Sequence, residues 1–185
     1  MLGASREGRA VPPLVGALAD PDVNVRHAAA ASLGQIGSPD AVPALLGILR
    51  AEPWLQFPAI HALGEIGDPR AAAALLELLD DEMLRGPVME ALGRLAGREA
   101  LPRLLPHLSA ADPALRNAAI QAVVAIEQRA TAEGESLDPE VQAALRRKDL
   151  VDHLLALLED GDPQNRRTSA ITLGWLKEAR AERPL

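Results

Sequence analysis

Cysteine is absent from the 185 residues. Disulfides, thiolate metal sites and cysteine nucleophiles are excluded together, and nothing points to an oxidising compartment. Aromatics are nearly missing too: two Trp, one Phe and no Tyr make up 2% of a chain that is 48% hydrophobic. The apolar content is mostly Ala, Leu, Val and Ile. Ala and Leu are strong helix formers, whereas strand-favouring aromatics are what is lacking, so an all-helical chain is expected. No uninterrupted apolar run approaches the ~18 residues of a membrane span. The opening "MLGASREGRAVPPL" lacks the basic start and apolar block of a secretory signal. Cations are outnumbered, with 19 Lys and Arg against 26 Asp and Glu, a net charge of −7 and a pI near 5.1. That balance favours solubility and works against duplex nucleic acid, whose phosphates demand a cationic face. The expectation is a cytoplasmic protein that binds neither membrane nor nucleic acid.

Reactive constellations are missing as well. The four histidines, His27, His61, His107 and His153, form no zinc-ligand spacing. His61 and Glu65 lie four apart on one helical face, which reads first as a surface pair. The glycines occur as punctuation rather than as a phosphate-cradling run, and no serine sits in a nucleophile elbow. No metal, no cofactor and no catalytic residue is expected, hence no enzyme.

What the chain does have is repetition. "SLGQIGSPDAVPALLGIL" (Ser32 to Leu49) returns as "ALGEIGDPRAAAALLELL" (Ala62 to Leu79). The Leu-Gly dipeptide marks the period at Leu33-Gly34, Leu63-Gly64, Leu92-Gly93 and Leu173-Gly174, with a degenerate copy at Val123-Val124. Spacings are 30, 29, 31 and 50, the last being one period plus an insertion of about twenty residues. Each unit reads as a Leu-rich first helix, a short acidic turn, and a second helix ending at the anchor. Asp before Pro predicts an N-cap with proline at the first helical position. Gly37, Gly67 and Gly97 stand where a helix end wants a left-handed residue. Such a pair cannot bury its own apolar face, so the units must stack.

The stretch "DPDVNVRHAAAASLGQIGSPDAVPALL" resembles the HEAT-like repeat of the kind first described in phycobilisome lyases, and the similarity covers nearly all but the insertion. It implies an all-α fold, a right-handed α-α superhelix (α-solenoid) of about five helix pairs forming one domain over 1–185. The units run at about 11–41, 42–71, 72–100, 101–130 and 149–181, with the insertion at 131–148. Within the insertion, the fourth unit's second helix is expected to run on, break at Gly134, and be followed by a short helix from Pro139 to Arg147. It reads as a surface excursion. Both ends align on repeat interiors, Leu2–Val11 on Leu33–Val42 and Leu173–Leu185 on the same region. They read as cut from a longer array or as covered by a partner, with end-to-end self-association through uncapped termini as one way to cover them.

Comparing repeats separates architecture from display. Seven residues before the anchor stand Arg26, Gln56, Arg85, Arg116 and Arg166. This structural Arg ladder is expected to bond carbonyls or acidic turns of neighbouring units. Positions −9, −6, −2 and +2 form one helical stripe, mostly polar or small. The resemblance implies that second helices line the concave side. On the stripe, Trp54, Phe57 and Met83 replace the polar or small residues usual there, and the last repeat carries Trp175. Trp54, Phe57 and Met83 are the candidate anchors of a partner-binding hollow, with His61, Glu65, Glu90 and Arg94 as its polar rim. The competing reading starts the helices at Pro58 and Pro87. It leaves Trp54 and Phe57 in the preceding turn, packed into a gap.

The function that follows is a non-enzymatic scaffold holding another protein, or another domain of its own chain, on the concave face. The alternative, by analogy of fold, is a bilin lyase-like subunit that handles a tetrapyrrole. A nucleic-acid binder of HEAT-like type is disfavoured by the acidic balance.

Overall fold

The computed structural model describes residues 8–176, and among these there is no strand. The repeat-like termini at 1–7 and 177–185, and any self-association through them, lie outside the described residues. The chain is all-α, built as an α-solenoid of paired helices, and divides into two compact units, one ending at Ala96 and the other starting at Gly97.

The first unit holds three helix pairs: α1 (Val11–Ala17) with α2 (Val23–Ile36), α3 (Val42–Ala51) with α4 (Gln56–Ile66), and α5 (Ala72–Glu77) with α6 (Arg85–Leu95). Successive second helices pack on one another, α2 on α4 and α4 on α6, and each also packs on its own first helix. The Leu-rich runs supply the core: Leu33, Leu45, Leu49, Ile60, Leu63, Leu75, Leu79, Met89 and Leu92 are all fully buried. The Leu-Gly anchor is explained by contact. A Cβ on Gly34 would stand 2.8 Å from Ala62 Cα, and one on Gly64 would stand 3.0 Å from Ala91 Cα. The anchor glycines thus let neighbouring second helices approach.

Turn chemistry follows the expectation with two corrections. Gly37 and Gly67 are left-handed at φ 69° and 71°, four residues past the anchor leucine. Gly97 is not: it stands five past Leu92, so Ala96 ends the helix and Gly97 is extended at φ −91°. In the first pair the N-cap is Asp22, accepting Asn24 N–H at 2.8 Å, rather than the Asp20 that precedes proline. Asp112 and Asp138 do cap helices that begin at proline.

The second unit comprises α7 (Leu101–Leu104), α8 (Pro113–Ala132), α9 (Pro139–Leu145), α10 (Lys148–Leu157) and α11 (Pro163–Leu176). Pro106 ends α7 after one turn because proline has no N–H to give the next α-helical bond; Leu105 keeps helical backbone, and the run continues as a 3₁₀ turn over Leu105–Ser109. The insertion follows the predicted course, with α8 running to Ala132, Gly134 at φ 92° and α9 beginning at Pro139. It is not, however, a surface excursion. Val141 and Leu145, four apart on α9, are fully buried, and α9 packs against α11 and the 3₁₀ turn after α7. A buried carboxylate holds its approach. Glu127 on α8 has no exposure, receives two bonds from Arg98 at 2.7 and 2.8 Å, and accepts the Asp138 N–H at 3.0 Å. Arg98 also reaches Glu135 at 2.6 Å and the Ser136 carbonyl at 2.6 Å, tying the chain around Gly134 to α8.

Candidate protein-binding surface

The turn before each second helix decides where the anchors stand. In the second pair, Pro53 opens a 3₁₀ turn over Pro53–Leu55 and α4 starts at Gln56. Pro58 is then the third residue of α4, as Pro87 is of α6. Both lie in the first turn, where a missing N–H costs no intrahelical bond. Trp54 and Met83 therefore precede their helices, and the single stripe from −9 to +2 does not exist as a helical face in these two pairs. Neither side chain fills a gap. Trp54 is 86% exposed and Met83 74%, while Phe57, in the first turn of α4, is 48% exposed. The space beneath each turn is filled by Leu55 and Leu84, both buried, one register further on. The recurrence of Leu55, Leu84 and Leu115 at −8 was the signal for this. Trp175, by contrast, is half-buried.

The polar candidates come together one to two turns further along. His61 Nδ1 lies 3.6 Å from Glu65 Oε2 on α4, and Arg94 donates to Glu90 at 2.7 Å on α6. His61, Glu90 and Arg94 share a dimple with Gly64, Pro87 and Ala91 of about 30 Å³, room for no more than a few waters. Glu65 and Arg94 also border an open groove of about 460 Å³ floored by Gly34, Gly37, Gly64 and Gly67. Phe57 is four residues before His61 on the same side of α4. Trp54, Phe57 and Met83 line neither hollow.

The Arg ladder is observed, but it stitches each pair to itself rather than to its neighbour. Arg26 donates to the Asp20 and Pro21 carbonyls at 2.8 and 3.2 Å, and Arg85 to those of Leu79 and Asp80 at 2.8 and 3.3 Å. Arg116 bonds the Ala110 carbonyl, and Arg166 those of Asp160 and Gly161. Gln56 does the same at Leu49 with a weaker 3.3 Å bond. These carbonyls are orphaned where a first helix ends, and a guanidinium answers several at once. Of the ladder residues, only Arg26 reaches onward as well, with Nε 3.2 Å from Glu52 of the next pair.

In the second unit His153 Nε2 lies 2.7 Å from Asn117 Oδ1, and Gln121 donates to Asn165 at 2.8 Å. Burial, and then the Arg116 charge, push the His153 pKa below its ordinary value. Glu127 and this polar layer escaped the sequence reading. Among the described residues no group of three His, Asp or Glu side chains is placed to hold a metal ion, and no helix is long and apolar enough to cross a membrane.

Residues 11–85 match the family model for HEAT repeats. No curated protein matches the chain by sequence. Among solved structures, a chain of the complex of CpcE and CpcF of phycocyanin lyase from Nostoc sp. PCC7120 is 25% identical with a TM-score of 0.63. That match covers 94% of this chain and 66% of the other, so the chain spans just under two thirds of that relative's length. A designed armadillo repeat protein in complex with the peptide (KR)4 is 19% identical with a TM-score of 0.60, covering 92% of this chain and 83% of that one. An archaeal HEAT-like repeats protein from Thermococcus onnurineus NA1 is 16% identical with a TM-score of 0.55, covering 91% and 70%. The last two matches speak to fold alone. Residues 11–85, from α1 through α5, thus match HEAT repeats by sequence, and the fold is that of an α-solenoid similar to HEAT-like and armadillo repeat proteins.

Proposed function

We propose that the protein is a non-enzymatic scaffold that holds another protein, or another domain of its own chain, on the surface formed by the second helices of its first unit. One observation carries this reading: Trp54, Phe57 and Met83, the bulkiest apolar side chains left in solvent among the described residues, all stand at the start of consecutive second helices. Aromatic anchors of this kind dominate interface energetics, each often worth ~2 kcal/mol or more when truncated. His61, Glu65, Glu90 and Arg94 supply the polar rim. The open groove beside them is too shallow to enclose a small substrate, which catalytic pockets normally do.

The test is capture of binding partners by the full chain and by a Trp54→Ala/Phe57→Ala variant. Both side chains are exposed, so the variant should fold and melt as the wild type does. It should lose partners the wild type retains; equal capture of the same proteins would remove the surface from the proposal.

The likeness to a phycocyanin lyase chain favours a second reading, in which the chain handles a tetrapyrrole. Such a pigment would lie in the open groove beside Glu65 and Arg94, since the dimple at His61 is far too small for it. Co-expression with the pigment should then give bilin absorbance on the purified protein, and its absence would end this reading.

A further inference from the structure

The exposed apolar side chains are not scattered. Among the described residues, the large hydrophobics in solvent are Val23, Val25, Trp54, Phe57 and Met83, and all belong to the first unit. Each lies at the junction of an acidic turn with a second helix. In the first pair Val23 and Val25 follow Asp20 and Asp22; in the second Trp54 and Phe57 follow Glu52; in the third Met83 follows Asp80, Asp81 and Glu82. Over residues 20–26, 52–57 and 80–85 there are six carboxylates and two guanidiniums. Both guanidiniums, Arg26 and Arg85, are drawn back onto turn carbonyls, and Arg26 also lies 3.2 Å from Glu52, which leaves the uncompensated acidity mainly at the first and third turns. The equivalent turns of the second unit are acidic too, at Asp112 and at Asp160 and Asp162, but carry no exposed large apolar side chain. The acidity belongs to the repeat, and the apolar row belongs to the first unit alone.

We infer that this row docks a basic, apolar segment of a partner protein, with Lys or Arg spaced between hydrophobic residues. The inference rests on reading the surface as partner-binding and adds the partner's chemistry. Because α2 packs on α4 and α4 on α6, the three junctions stand one helix spacing apart, about 8–10 Å. A segment in polyproline II conformation has three residues per turn and rises about 3.1 Å per residue, so every third side chain returns to the same side after about 9 Å and meets an apolar anchor. Those between lie over the carboxylates of the turns. An acidic segment would meet like charge at the first and third turns, where Asp20, Asp22, Asp81 and Glu82 stand, and a wholly apolar one would desolvate these carboxylates without bringing any countercharge.

The test uses the full chain and two synthetic peptides, Leu-Lys-Lys-Leu-Lys-Lys-Leu and its counterpart with Glu for every Lys, followed by fluorescence anisotropy. The lysine peptide is expected to bind, and more weakly as salt rises, because its charges meet the acidic rim. Trp54→Ala should weaken it about tenfold. Glu82→Lys, at an exposed side chain remote from the core, should weaken it about threefold by rim electrostatics. Equal or tighter binding of the glutamate peptide, or lysine-peptide binding unmoved by both substitutions, overturns the inference. Failure of the two readings is separable. If the lysine peptide does not bind while Trp54→Ala/Phe57→Ala still loses native partners, the surface stands and the basic chemistry is wrong. If the double variant also keeps every partner, the surface itself is wrong.

Discussion

Replacing glycine by alanine at two helical positions of the first unit should move stability in opposite directions. Gly47 lies inside α3 with no atom within 4 Å of the place a Cβ would take, so Gly47→Ala gains the helix-propensity difference, about 1 kcal/mol. Gly34 lies inside α2 and gains the same term, but its Cβ would stand 2.8 Å from Ala62 Cα and 3.1 Å from Ala62 Cβ. The third neighbour, Glu65 Oε2 at 2.5 Å, is the end of a flexible side chain and can swing away; the α4 backbone cannot. Forcing extra volume into such a contact costs about 1–3 kcal/mol, which outweighs the propensity gain at all but the low end. For a chain of this size 1 kcal/mol corresponds to about 2–4 °C in Tm. Thermal unfolding followed by circular dichroism should therefore show Gly47→Ala melting about 2–4 °C higher and Gly34→Ala melting lower. If Gly34→Ala melts as high as Gly47→Ala, the second helices are not in the close contact that explains the Leu-Gly anchor. Gly64→Ala, with its nearest backbone neighbour at 3.0 Å, should fall between the two.

Two further predictions concern the second unit. Arg98→Ala leaves Glu127 buried without its cation and should cost about 3 kcal/mol in denaturant unfolding, whereas Arg98→Met/Glu127→Leu should recover most of that loss; equal losses would mean that the pair is not acting as a pair. His153 is held below its ordinary pKa of 6.5 by burial and by Arg116, so the unfolded chain takes up the proton first as pH falls. The stability that neutral His153 contributes is complete above about 6.5 and is lost as pH falls from there through the folded-state value. Melting temperatures across that window should fall less steeply for His153→Gln than for the wild type, and parallel slopes would refute the assignment.

How much of this was readable in the sequence depends on the range of the interaction. The helix pairs, their order and the position of the anchors follow from a thirty-residue period that the chain prints four times, and α9 from the Asp-Pro that opens it. Local signals failed by small offsets with large consequences. A glycine five rather than four residues past Leu92 does not become left-handed, and a proline at the third helical position permits a helix instead of delaying it. The second offset matters for the candidate surface, because it moves Trp54 and Met83 off a helical stripe and onto turns. It also leaves Leu55 and Leu84, which the stripe ignored, to close the space beneath.

What was not readable is the long-range polar pairing. Glu127 sits on a twenty-residue helix among residues that look solvated, and nothing nearby announces that Arg98, twenty-nine positions upstream, will reach it. Periodicity cannot reveal such a pair, since it occurs once, at the place where the repeat is interrupted. The same reasoning bears on function. A feature that recurs in every repeat, such as the arginines at −7, serves the stack, and here it satisfies helix-end carbonyls in four of five pairs. An apolar row that stays exposed and is confined to one unit does little for stacking, and the row from Val23 to Met83 is such a feature. Leaving Trp54 and Met83 mostly in solvent and Val23, Val25 and Phe57 about half exposed gives up several kcal/mol that a purely structural repeat would have kept, at about 1.5–3 kcal/mol for each fully buried large apolar group. That unused burial is what a partner can recover.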